Sequence, residues 1–305
     1  RIAAAVEAAT YSVRVCVAFI EVDACFPGGR GTFLDLMDDA AGRSVDVRVL
    51  FWHPDGIAVE AEDTLRGDEE TTGMLTGRGA TWQARWDAVS RQCQHQKVWL
   101  IDAGTSDEVA FVGGINISKG SMAGPDHAEP PEIGRNANIH DVHCLIQGPA
   151  GTDVHDNFVM RWNGASEREH PHGAYPPGGT TDLPWPTRQT APAGSTTAQI
   201  VRSVLPGLYP ELPEGENSVR EQYLSAIAAA GEYVYIEDQI FLSRVVLSAL
   251  ADALDRGVQI MALVPGDPMS ELARFRSHPG IAAGYDALAA LADHPGFCLA
   301  VPAVR

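Results

Sequence analysis

One order of elements occurs twice in this chain, and it fixes the fold class. Residues 2–9 (IAAAVEAA) read as a helix and 13–20 (VRVCVAFI) as a strand. Residues 33–41 (FLDLMDDAA) read as a second helix and 45–52 (VDVRVLFW) as a second strand, closed by the turn His53-Pro54-Asp55-Gly56. The series returns about 210 residues later as helix 223–230 (YLSAIAAA), a strand opening YVYIEDQIF at 233–236, helix 245–254 (VVLSALADAL) and strand 258–264 (VQIMALV). That last strand runs into Pro265-Gly266-Asp267-Pro268, and in both copies a short polar turn, Gly42-Arg43-Ser44 or Asp255-Arg256-Gly257, precedes it. Strands joined through helices make α/β structure, so the chain is expected to be a duplicated α/β lobe. Between the copies, 165–197 holds Pro171, Pro176, Pro177, Pro184, Pro186 and Pro192 with several glycines, the composition of a linker. The expected organisation is a first lobe over 1–164, a linker over 165–197 and the N-terminal part of a second lobe over 198–305.

Composition narrows the function. With 45% apolar and 20% charged residues the chain can bury a core. Its formal charge of −18 argues against a nucleic-acid binder, which needs a basic face. Among 22 basic residues only Lys97 and Lys119 are lysines. Five cysteines, Cys16, Cys25, Cys93, Cys144 and Cys298, are an odd number without framework spacing, so no disulfide scaffold is expected. No apolar run is long enough to span a membrane. The chain starts at Arg1 rather than Met and is read as trimmed, which leaves a soluble secreted or cytoplasmic location open.

The strongest local signal is Gln94-His95-Gln96-Lys97-Val98-Trp99-Leu100-Ile101-Asp102, an H-x-K-x4-D pattern. Read as a strand, it sends His95 and Lys97 from one face. A second apolar strand, Val109-Ala110-Phe111-Val112, follows Glu108 and runs into Gly113-Gly114-Ile115-Asn116. Paired glycines let backbone approach a ligand, and Asn116 can donate to an oxygen. Such a set suits attack on a phosphodiester. The histidine offers a nitrogen that titrates near neutrality, the lysine a compact charge for a phosphate oxygen, and the aspartate an acceptor able to fix an imidazole, although spacing alone does not show which residue it holds. Ten histidines, two lysines and 22 aspartates give ~0.005 chance matches to the pattern, so coincidence is a poor account of it. Keeping lysine here, in a chain otherwise rich in arginine, points to a site that needs a point charge.

These residues resemble the first signature of the phospholipase D superfamily. Further blocks resemble its eukaryotic-type branch: Ile139-His140-Asp141-Val142-His143-Cys144 running to Gly148-Pro149-Ala150, Asn157-Phe158 to Arg161-Trp162, and Tyr235-Ile236-Glu237-Asp238-Gln239-Ile240-Phe241. The resemblance implies two α/β/α sandwich lobes about a pseudo-two-fold axis, with one histidine from each lobe. One attacks phosphorus to give a phosphohistidine; the other protonates the leaving alcohol and then activates water or an acceptor alcohol. By resemblance His95 is the nucleophile, Lys97 holds the phosphate and Asp102 orients an imidazole, although the two histidines can exchange roles. Gly113, Gly114, Asn116, Glu237 and Gln239 are the expected substrate-binding residues, with Asp141 and His143 expected to support the active strand. No metal or other cofactor is required for the core step. The implied substrate is a phospholipid at a membrane or micelle surface, met by peripheral contact, and hydrolysis or transphosphatidylation yields phosphatidic acid or its ester.

A second H-x-K is absent from these residues, because no lysine follows Lys119. Measured from the repeat, its place falls just past Arg305. The preferred expectation is therefore a complementary chain or C-terminal half that carries the second motif; a dimer of first motifs and a non-catalytic protein are the alternatives. Two histidine sets invite metal readings. His140, Asp141, His143, His155 and Asp156 are better taken as supports of the strand, and His170 and His172 as solvated loop residues. Tyr233 and Tyr235 are expected in the core or at its rim.

Overall fold

The computed structural model describes residues 1–54, 64–88, 95–122, 139–187, 189–265 and 277–301. Two expected turns, at Asp55-Gly56 and at Gly266-Asp267-Pro268, and the motif's leading Gln94 lie outside them. The chain divides into two compact units, Arg1–Ile200 and Val201–Arg305.

The first unit opens with α1 (Ile2–Ala8), β1 (Ser12–Val17), α2 (Phe33–Gly42) and β2 (Asp46–Trp52). It continues with α3 (Glu69–Gly77), β3 (Gln83–Asp87), β4 (Lys97–Ile101), β5 (Val109–Gly113), β6 (His143–Gln147), α4 (Pro149–Asn163) and β7 (Ala174–Tyr175). The strands form one seven-stranded sheet in the order β6-β5-β4-β1-β2-β3-β7. β1, β2 and β3 are mutually parallel, while β4, β5 and β6 join antiparallel on one side and β7 on the other. Helices cover both faces, which is why β1 is buried along its whole length. On one face Val13, Val15, Val49, Trp99 and Phe111 pack against Val6 of α1 and Phe33, Leu36 and Met37 of α2. On the other, Leu50, Val98, Leu100 and Ala110 meet Val154, Phe158 and Trp162 of α4.

Local chemistry sets these helices. The Thr32 hydroxyl accepts from the Asp35 amide while Asp35 accepts from the Thr32 amide, a reciprocal cap at the start of α2. α4 starts where Gly148 takes a positive φ of 93° and Pro149 supplies a pre-set first turn.

The proline-rich stretch is not a free tether. It belongs to the first unit, where β7 pairs with β3 and Arg85 grips Asp182 at 2.7 Å. Trp162 Nε1 donates to the Thr181 carbonyl at 2.9 Å, and Thr190 donates to Glu108 at 2.9 Å. Composition reports the absence of regular structure here; specific polar bonds nonetheless fix the segment on the sheet and on α4.

The second unit comprises a short hairpin of β8 (Ser203–Val204) and β9 (Glu216–Asn217), followed by α5 (Ser218–Ala229) and β10 (Tyr233–Glu237). After these come α6 (Arg244–Asp255), β11 (Gln259–Leu263), α7 (Pro279–Ala292) and β12 (Phe297–Ala300). β10, β11 and β12 form a parallel sheet, and Ile260, Ala262 and Phe297 face Leu247, Leu250, Leu254, Leu288 and Leu291 of α6 and α7. The helix-strand-helix-strand series with a parallel pair thus occurs in each unit. Tyr233 and Tyr235 stand exposed beside Met261 on the sheet face away from that core, so they are not core residues. Among the described residues no helix is long and apolar enough to cross a membrane.

Candidate active site

The first unit gathers most of the expected site residues at one edge of its sheet. β1 and β3 end there, and β4, antiparallel to β1, begins there. His95 sits just before β4, whose ladder opens with Lys97 opposite Gly113. The Lys97 side chain is buried, and its ammonium donates to the His95 carbonyl at 3.0 Å. Phe19 touches both residues: its ring meets the His95 imidazole edge-on at 5.3 Å and lies 5.7 Å from Lys97 Nζ. Behind it stands Trp52, also edge-on, at 5.5 Å. Sequence reasoning missed Phe19, since an aromatic at a strand end carries no motif.

His95 is exposed as a residue, yet its ring rests on protein, and its pKa is pushed down to about 4. Loss of surrounding water is the main cause, the Lys97 charge adds to it, and the Asp141 carboxylate opposes both. The imidazole is therefore neutral at pH 7, the form that holds a free lone pair.

The paired glycines make room for neighbouring side chains. A Cβ on Gly113 would strike the Val142 carbonyl and lie 2.7 Å from the His143 ring. A Cβ on Gly114 would strike both oxygens of the Asp141 carboxylate. The absence of side chains at Gly113 and Gly114 thus seats Asp141 and His143 over the same face that carries His95 and Lys97. His143 pairs with Gly113 in the ladder, and its ring approaches the Lys97 main chain without reaching hydrogen-bond geometry. Burial lowers its pKa. Asn116 holds its side-chain oxygen buried with no hydrogen-bond partner among the described residues.

Asp102 does not orient an imidazole within this unit. It takes a left-handed φ of 51° just after β4, and its carboxylate accepts from the amides of Thr10, Tyr11 and Ser12 at 3.0, 2.7 and 3.1 Å. Those amides start β1, so Asp102 fixes the turn between α1 and the central strand, at the opposite end of β4 from His95. The x4 spacing correctly places an acceptor after the strand; which donors reach it depends on β1, a contact no spacing encodes. The carboxylate that acts on His95 is Asp141.

The remaining candidates are carried by other elements. Glu237 closes β10 in the second unit and accepts from the Tyr235 hydroxyl at 2.5 Å. Gln239 falls beyond the strand, because the Asp238 carboxylate accepts from the Ile240 amide at 2.8 Å and turns the chain. Of the two, only Glu237 is on the strand. His155 pairs with the buried Glu108 at 3.2 Å, and His172 contacts the Thr72 hydroxyl at 3.2 Å. Among the described residues no three His, Cys, Asp or Glu side chains converge as a metal site.

A family model described as phospholipase D matches residues 130–265, a span holding β6, α4 and the opening of the second unit. Phospholipase D alpha 1 of Arabidopsis thaliana is 23% identical over 301 residues, covering 78% of this chain and 37% of that protein. With the H-x-K-x4-D pattern, these matches make the chain similar to the phospholipase D superfamily. Phospholipase D A of Dictyostelium discoideum is 29% identical over 185 residues, covering 49% of this chain and 13% of its own length. The chain therefore spans little more than a third of the plant relative and a smaller share of the amoebal one. In fold it is similar to phosphatidylserine synthase of Haemophilus influenzae, with a TM-score of 0.57 at 10% identity over 99% of this chain and 70% of that one.

Proposed function

We propose that this chain, as a phospholipase D superfamily member, supplies half of a phosphodiesterase site, with His95 as the attacking residue and a glycerophospholipid as substrate. The observation that carries the reading is His95 set against the Phe19 ring and beside the buried Lys97, whose ammonium donates to the His95 carbonyl, with burial lowering the imidazole's pKa. The His95 lone pair forms a bond to phosphorus while the bond from phosphorus to the headgroup oxygen breaks. A protonated second imidazole gives its proton to the departing alcohol. That imidazole then takes a proton from water, whose oxygen displaces His95 and leaves phosphatidic acid. An acceptor alcohol in place of water gives transphosphatidylation. Lys97 and Asn116 bind the non-bridging oxygens, and His143 supports Lys97 across Gly113. The second imidazole comes from a complementary half or chain with its own H-x-K strand, since these residues contain none. Glu237 and Gln239 would line the substrate side of the second lobe.

The test is to mix the natural protein with phosphatidylcholine vesicles, quench, and measure intact mass and the labelled peptide. The reading expects a phosphatidyl adduct on the peptide containing His95, absent in His95→Ala. An adduct confined to another residue, or turnover indifferent to His95→Ala, would overturn it. The same mass measurement identifies any companion chain; a lone chain with no adduct and no turnover would leave a binding protein on this fold.

A further inference from the structure

Gln96 stands between the two site residues, and its side chain leaves the strand on the opposite face. There its Oε1 accepts from Asn157 Nδ2 at 3.0 Å and from Arg161 Nη1 at 3.1 Å, two residues one turn apart on α4. The same guanidinium reaches Cys16 Sγ on β1 at 2.6 Å and Asp87 Oδ2 at the end of β3 at 3.1 Å. Arg161 and Asp87 are each 1% exposed, so neither charge has water to turn to. One planar fork therefore ties the ends of β1 and β3 to the start of β4, at the edge where the site stands. His95 precedes the first ladder pair, Lys97 with Gly113, so strand pairing with β5 does not set its direction.

We propose that Gln96 is a positioning residue, and that the clamp of Asp87, Arg161 and Asn157 acting through it holds His95 against Phe19 and beside Lys97. The proposal rests on His95 and Lys97 being the site pair, and its chemistry is that of geometry: a single oxygen held by two buried donors, one of them charged, leaves the residue before β4 one orientation. Loosening it frees the imidazole to turn toward water without removing any group that touches substrate. A lysine in place of Arg161 would keep the charge for Asp87 and lose the fork.

The experiment compares Gln96→Met, which keeps length and packing but accepts no hydrogen bond, with Arg161→Lys and with Val154→Ala. Val154 is buried on the same helix within the apolar cluster that faces Leu50 and Val98. Two readouts are taken on the full protein: the titration midpoint of the His95 imidazole by carbon-labelled histidine NMR, and kcat and KM for choline release from phosphatidylcholine. Gln96→Met and Arg161→Lys should both raise the midpoint by about one pH unit or more as the ring regains water. Both should lower kcat by about 10–100-fold with KM changed less than about threefold. Val154→Ala should lower the melting temperature and leave the midpoint in place. A midpoint unchanged in Gln96→Met, or moved equally by Val154→Ala, overturns the proposal. If no protein form releases choline, the functional reading fails while the NMR comparison still decides the clamp.

Discussion

His95 and Asp102 share a motif and work at opposite ends of one strand. A histidine pushed down to about 4 stays neutral across the physiological range, and its midpoint is measurable by histidine NMR. Asp141→Asn removes a carboxylate that favours the imidazolium, so the midpoint should fall further; a rise would contradict the assignment. The sign for stability follows from the same shift. Between about pH 6.5 and 4 the unfolded chain binds a proton at His95 that the folded chain does not, so folding stability drops as pH falls through that window. Asp102→Ala acts differently, because three amides at the start of β1 lose their acceptor. It should cost about 1.5–3 kcal/mol in urea unfolding and leave the His95 midpoint where it was. A shifted midpoint with unchanged stability would return Asp102 to the imidazole.

Elements obey the sequence most closely where pattern is local. The α2 range of Phe33–Gly42 and the β2 range of Asp46–Trp52 fall within a residue of the periodic reading, because apolar spacing and the Thr32 cap define them. Contacts between strands were hidden. Nothing in Gly113-Gly114 announces that Asp141 and His143, some 30 residues on, fill the space. Nor does the HDVH sequence reveal that β6 starts only at His143. Gly113→Ala should cost about 1–3 kcal/mol by forcing β6 away, whereas Gly42→Ala, where an added Cβ meets nothing within 4 Å, should be neutral or gain a few tenths. Thermal or urea unfolding of the two variants checks the contrast; equal effects would mean that β6 does not bear on β5 as described.

At the scale of the molecule the repeat was legible because each copy is built from strong, short-range signals, and the resemblance was legible because its motif is contiguous in sequence. The role of 165–200 was not, since proline and glycine content says where regular structure stops and not what Thr181, Asp182 and Thr190 bond to. Net charge also belongs to this scale. At −18 the protein should bind duplex DNA more weakly than about 10⁻⁴ M at physiological salt, measured by fluorescence anisotropy, and micromolar binding would contradict the reading from charge. The central claim is that His95 does chemistry on a phosphodiester. Choline release from phosphatidylcholine vesicles by the natural protein, beside its His95→Ala variant, tests it most directly. Steady turnover that drops at least about 10³-fold in the variant is the expected result; equal turnover in the two would contradict the account.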